Sequence, residues 1–189
     1  MKDKIGILRT VAYRKLLGSC VLFSSFSLYP SAFSPKLLVS MTIANLQEIA
    51  GRTYPARRLT QNLVGGMSPI QAENFSMGYV TLEPNGGQVP WHNQEQEEVY
   101  FIVSGVGEMC LGKEKQTVES GQAAQIPPGV FHQLTNIGDT PLIMIYVYGP
   151  AGEVEHWKQE LAGTLPRAGI DVPALPDGAA PQCTDKPAD

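Results

Sequence analysis

"GGQVPWHNQEQEEVYFIVSG", residues 86–105, holds two kinds of sequence side by side. It opens on a glycine turn and a proline-tryptophan step, crosses a polar segment with one histidine and three glutamates, and ends in a run of β-branched and aromatic residues. That final run, closed by Gly105, is strand-like by composition. Residues two apart in a strand share a face. His92, Gln94 and Glu98 are therefore expected to project together if the segment is near-extended, while Glu95 and Glu97 turn to solvent. The same parity turns Tyr100 and Ile102 inward. Two readings compete for the polar stretch: a hydrated loop, or donors gathered for a cation.

Short β-like runs surround this stretch: "SMGYVTLEP" from Ser76, then after Gly105 "GEMCLG", "QAAQIPPG", "FHQLTNIGD" and "PLIMIYVYG". Runs this short, spaced at roughly 8–12 residues with Gly, Pro or Asn-Gly between them, indicate an antiparallel sandwich or barrel. "KEKQT" (113–117) reads as a polar link. No helical crossover of useful length separates the runs, which disfavours a parallel α/β sheet. "EVEHWKQEL" (153–161) turns helical, with Val154, Trp157 and Leu161 on one face. His156, among Glu153, Glu155 and Glu160, reads as a surface residue. The fold expected is all-β with a short C-terminal helix: an arm over 41–75, a barrel over 76–150, the helix within 151–165, and a Pro-rich extended or disordered tail over 166–189.

A second histidine, His132, begins the run "FHQLTN" just after the turn "PPGVF". Two of the three histidines thus start strands directly after proline-containing turns, where a site spanning neighbouring strands needs them. Around them the chain resembles the cupin superfamily. Gly86, His92, Glu98 and Gly105 fall on its first motif, with Gln94 in place of the second histidine. Gly121, Pro127, Gly129, His132 and Asn136, in "GQAAQIPPGVFHQLTN", fall on its second. The resemblance implies a jelly-roll barrel and a metal site made by His92, Gln94, Glu98 and His132. Two imidazoles and a carboxylate suit Fe, Mn, Ni, Co, Cu or Zn, with Fe first because this is the donor set of the non-haem Fe(II) facial triad. An amide oxygen donates more weakly than imidazole, so Gln94 is either a weak fourth ligand or a contact to water or substrate.

The function expected is that of a metal-dependent enzyme, a dioxygenase acting on a small oxygenated or aromatic molecule, with Glu98 and Tyr100 as catalytic candidates. The alternatives are a metal-dependent isomerase, lyase or decarboxylase of a sugar acid or keto acid, and a non-catalytic small-molecule-binding module. Tyr146 and Tyr148 are assigned to core packing. Arg57 and Arg58 are assigned to the surface, with a carboxylate-binding role as the other option.

Charge narrows the partners. The net charge is −4, but residues 1–40 hold six of the 14 basic residues and one acid, so the remainder is strongly acidic. An acidic body does not suit nucleic acid, which requires a basic patch. Three widely spaced cysteines, Cys20, Cys110 and Cys183, match neither a disulfide framework nor a paired-cysteine zinc motif. Residues 1–40 have the outline of a targeting segment with poor details, or lie upstream of a true start at Met41. The protein is expected to be cytoplasmic in the second case and exported or organellar in the first. No apolar run approaches the roughly 20 residues a bilayer demands, so no membrane partner is expected. The resemblance also implies a homodimer paired through outer strands.

Overall fold

The structure is a computed structural model, and it describes residues 40–183 with the exception of Met67. The reading of residues 1–40 as a targeting or upstream segment falls, Ser40 apart, outside the described residues.

Among the described residues, a single 3-10 turn (Leu46–Glu48) is followed by ten strands and one α-helix: β1 (Arg52–Tyr54), β2 (Arg58–Val64), β3 (Ser76–Leu82), β4 (Gln88–His92), β5 (Glu97–Ser104), β6 (Val106–Leu111), β7 (Glu114–Glu119), β8 (Ala123–Ile126), β9 (His132–Asn136), β10 (Leu142–Gly149) and α1 (Glu155–Ala162). A six-stranded sheet runs β1-β2-β3-β10-β5-β8, and a four-stranded sheet runs β4-β9-β6-β7. The pairings within both sheets are antiparallel. Two such sheets packed face to face make a jelly roll, the all-β fold expected from the spacing of the runs.

β5 alternates as its sequence dictates: Glu98, Tyr100 and Ile102 are buried, while Val99, Phe101 and Val103 face out. Its inner face meets Val80 and Leu82 of β3, Met109 of β6, Leu134 of β9 and Met144 of β10 in one core. Burying each such side chain contributes about 1.5–3 kcal/mol, which is what holds the two sheets together. Gly105 turns the chain from β5 in one sheet into β6 in the other. Its φ is +90°, and a Cβ there would sit 2.7 Å from the Cα of Leu142; only glycine fits.

The structure extends the sequence reading in two strand regions. The sheet begins at Arg52, not Ser76: β1 and β2 join β3 at its outer side, and "RRLTQNLV" went unrecognised because its polar positions outnumber its apolar ones. Residues 114–117 of "KEKQT" belong to β7, whose residues are almost all exposed. An edge strand with both faces wet shows no period-2 signal.

The tail is extended but docked, and that explains an oddity of the second sheet. Every residue of β4 and of β9 is buried. One face of this strand pair looks into the barrel, and the other lies under residues 173–183. The Trp91 indole donates to the carbonyl of Pro173 at 2.9 Å, and the Gln133 amide donates to that of Ala180 at 2.9 Å. Gln88 accepts from the Cys183 N–H at 2.7 Å. A Pro-rich segment with few donors of its own is thereby satisfied by three side chains of the strands it covers.

Candidate metal centre

His92 closes β4 and His132 opens β9, and the antiparallel register sets them directly opposite each other. Glu98 comes from β5, in the other sheet. The expectation that His92, Gln94 and Glu98 share one face of one extended segment is therefore corrected in its geometry. The chain leaves the four-stranded sheet at His92, turns through residues 93–96, and enters the six-stranded sheet at Glu97. The donors converge because the two sheets face each other, not because of strand parity.

Loop contacts fix the two histidine-bearing ends. The Gly129 N–H donates to the carbonyl of Gln94 at 2.7 Å, and the Asn93 amide donates to the carbonyl of Gly129 at 3.2 Å. Gly129 holds φ at +76°, which a β-carbon would oppose. At the far end of β9, the buried Asn136 amide donates to the carbonyls of Leu82, Glu83 and Thr140 and accepts from the Gly138 N–H. It ties β9 to the end of β3.

Nδ1 of His92 lies 2.7 Å from the carbonyl of Pro90, and Nδ1 of His132 lies 3.0 Å from that of Val130. A carbonyl can only accept, so each Nδ1 carries the proton and each Nε2 offers a lone pair to the interior. Backbone carbonyls behind ligating histidines orient metal sites in this way. Burial pushes the His92 imidazole well below its ordinary value, and the neighbouring His132 adds to this. It is thus neutral at physiological pH, as a ligand must be. Burial raises the Glu98 carboxyl, with His132 and Tyr100 beside it pulling it back.

The ligand atoms of His92, Glu98 and His132 all lie within 4.8 Å of one another, with Nε2 of His132 3.4 Å from Oε2 of Glu98. Both Nε2 atoms and this Oε2 are inaccessible to solvent and lack a hydrogen-bond partner. The Gln94 amide is in the same condition at both its oxygen and its nitrogen. Leaving a buried polar group unsatisfied costs about 1–3 kcal/mol. A divalent cation would satisfy the two Nε2 atoms and the Glu98 Oε2 at once, so these three residues fit a metal. Tyr100 is 2% exposed, its ring set edge-on to His132 at 5.8 Å.

Two assignments of the sequence reading are overturned. His156 is not on the surface: it is 5% exposed, with its ring centroid 3.5 Å from that of His92. Arg58 is not on the surface either: its side chain is 1% exposed and pairs with Glu160 at 2.6 Å. Arg57, by contrast, is half exposed, as expected, and pairs with Glu83. The helix presents His156 and Glu160, one turn apart, to the barrel mouth, while Leu161 faces out. A hydrophobic-face reading missed this because the inward face is polar. Its partner, Arg58, lies a hundred residues away in sequence, where no local pattern reveals it. Tyr146 and Tyr148 are buried as expected, stacked on each other at 5.4 Å.

A jelly roll with histidines and a glutamate converging inside it defines a class of small barrel proteins, and this chain belongs to the cupin superfamily. The family model described as "Cupin domain" matches residues 78–148. An uncharacterized protein of Methanocaldococcus jannaschii is 39% identical over 71 residues, which cover 36% of this chain and 57% of that protein. The chain thus spans little more than half the length of that relative. An uncharacterized protein of Streptomyces coelicolor is 30% identical over 83 residues, covering 43% of this chain and 75% of that protein. Among solved structures, an RmlC-like cupin from Shewanella frigidimarina superposes with a TM-score of 0.51 at 18% identity. It covers 60% of this chain and 95% of its own. That likeness concerns the fold alone.

Proposed function

We propose that the barrel holds one divalent transition metal ion on His92, Glu98 and His132, Fe(II) in the first instance. The protein would then be an enzyme acting on a small oxygenated or aromatic molecule, of the dioxygenase type. What supports this reading is the convergence of three buried, unpartnered donor atoms from two sheets. Mn, Ni, Co, Cu and Zn suit the same donors. Such a metal supplies Lewis-acid or one-electron chemistry at coordination positions that three protein ligands leave open.

The chain's own residues have distinct parts in this scheme. The Pro90 and Val130 carbonyls aim the two imidazoles. The Gln94 amide, weaker than a third imidazole, serves as a fourth ligand or holds a bound water or substrate. Burial, with Glu98 adding to it, raises the Tyr100 phenol well above its ordinary value. Tyr100 therefore keeps its proton and donates a hydrogen bond, either to Glu98 or to a substrate oxygen beside it.

A second reading, an isomerase, lyase or decarboxylase of a hydroxy or keto acid, is favoured by Arg58, whose guanidinium lines the same cavity as Glu98. There the metal needs no redox change. Oxygen uptake by anaerobically Fe-loaded protein, tested on panels of phenols and hydroxy acids, separates the two. Turnover with oxygen consumption is expected on the first reading; turnover without it selects the second. Metal uptake without turnover of any substrate would leave a non-catalytic binding module, and failure to take up metal would remove both enzyme readings.

Homodimerisation is part of the proposal. The outer face of the six-stranded sheet carries half-exposed Val99, Phe101 and Val103 on β5 and Val147 on β10, an apolar stripe suited to a second copy. Sedimentation velocity should show a dimer for the native chain and a monomer for Phe101→Asp. A monomeric native chain would refute the pairing.

A further inference from the structure

The cavity beside the candidate centre cannot, as it stands, hold the molecule it would act on. It is lined by Arg58, Glu98, Tyr100 and His156 among others, and its volume is about 20 Å³. That is room for about one water, whereas small-molecule sites run to roughly 300–1,000 Å³. A second cavity of about 400 Å³ lies next to it, lined by Arg52, Tyr54 and Asn62 among others. Val154, at the start of α1, and Trp157, on it, line both cavities. Thr60 of β2 and Tyr146 of β10 also line both, so Val154 and Trp157 are the part of the partition that α1 carries, and moving them opens the small space toward the large one.

Three features of α1 make it the part that moves. Eight residues are too few for a helix stable by itself, and its first turn receives no side-chain cap. Its docking rests on Trp157 against Tyr54, Tyr146 and Tyr148, on His156, and on Glu160. His156 gains little, since neither ring nitrogen finds a partner. Glu160 binds Arg58 by one prong only. Its Oε2 takes Nη2 at 2.6 Å, while its Oε1 accepts instead from the Ala56 N–H at 3.3 Å. Nε and Nη1 of Arg58 are buried and unpaired. The guanidinium fork, held with its Cζ 4.1 Å from the centre of the Tyr54 ring, thus keeps two donors free. A carboxylate arriving with both oxygens unengaged matches that fork better than Glu160 does.

We propose that the ligand of this site is a small carboxylate, which replaces Glu160 on Arg58 while α1 withdraws from the barrel mouth. The helix acts as a built-in competitor: its glutamate neutralises Arg58 until an anionic substrate takes over. This deepens the function proposed above by naming the substrate class, and it rests on that reading for its chemistry.

Hydrogen exchange of the 155–162 amides tests it, using the full chain with benzoate and with its neutral isostere benzamide. Benzoate is expected to speed exchange of these amides by about tenfold or more, and benzamide to leave it unchanged. Glu160→Gln should exchange fast without ligand and bind benzoate about tenfold more tightly, because the competent state no longer has to be won from the closed one. Equal responses to acid and amide, or native protection of α1 in Glu160→Gln, would overturn the proposal. The comparison of benzoate with benzamide uses the native chain and so does not depend on how well the variant folds. Repeating it on His132→Ala keeps the two claims apart. A benzoate response there supports the carboxylate site whatever becomes of the metal. Metal uptake by the native chain with no preference for acid over amide discards the carboxylate and leaves the metal centre standing.

Discussion

His132→Ala is expected to reduce bound metal from about one ion per chain to less than about a tenth of that. Glu98→Gln should do nearly the same, and Glu97→Gln should do nothing. The pair of adjacent glutamates is the sharpest control available. Glu98 is buried at the centre, while Glu97 is exposed and accepts from the Gln125 amide at 2.6 Å. One residue of register separates a ligand from a surface charge. The readout need not be activity. A cation that binds the folded chain and not the unfolded one stabilises it by about 2.7 kcal/mol at a hundredfold excess over its dissociation constant. For a chain of this size that raises the melting temperature by about 5–10 °C. The rise should appear in the native chain and in Glu97→Gln and vanish in His132→Ala. Equal metal content in His132→Ala and the native chain would rule the centre out.

Which parts of this site are legible in the sequence follows from the range of the interactions involved. Pro127-Pro128-Gly129 mark the turn from which His132 opens β9, as expected, whereas the glycines at 86 and 87 mark the start of β4 and His92 closes that strand instead of starting one. Local chemistry is visible in sequence. The inward parity of β5 was legible for the same reason, since Glu98, Tyr100 and Ile102 alternate with residues that the structure leaves half exposed. What failed was whatever required knowing what lies across a gap. The tail carries too few apolar residues to announce that it covers Trp91 and Gln133. Its docking is made by hydrogen bonds exchanged with the strands, which leave no periodic trace. His156 and Glu160 form a polar stripe that any amphipathicity argument assigns to solvent, and only Arg58, on a strand far away in sequence, reverses that assignment. The strands of the barrel follow from repeated local signals, whereas the polar face of the helix that closes it is turned inward by a long-range charge.

That charge sets the second large effect. Glu160→Ala is expected to cost about 3 kcal/mol, near the lower bound for breaking a buried pair by removing one partner, and to lower the melting temperature by about 6–12 °C. The lower bound applies because α1 can swing out and admit water to Arg58, which then escapes the full penalty of a dry, unpaired charge. Arg58→Met should cost less, because the two partners are not equivalent. A guanidinium cannot shed its proton, but a carboxyl left alone in an apolar place can take one up. Burial already raises the Glu160 carboxyl, and Arg58 is the main group holding it down. Removing Arg58 raises it further above its unfolded value. In that variant the folded chain binds the proton more readily than the unfolded chain does, so stability falls as pH rises through the folded value and returns as pH is lowered. The deficit of Arg58→Met against the native chain should therefore be smaller at pH 5 than at pH 7.5, whereas that of Glu160→Ala should not shrink. The double replacement Arg58→Met with Glu160→Ala removes both desolvation penalties and should melt no lower than Glu160→Ala alone. Thermal melts of the four proteins at two pH values close the cycle. If the two single variants simply add in the double, Arg58 and Glu160 do not act as a pair, and α1 is held at the barrel mouth by its aromatic contacts alone.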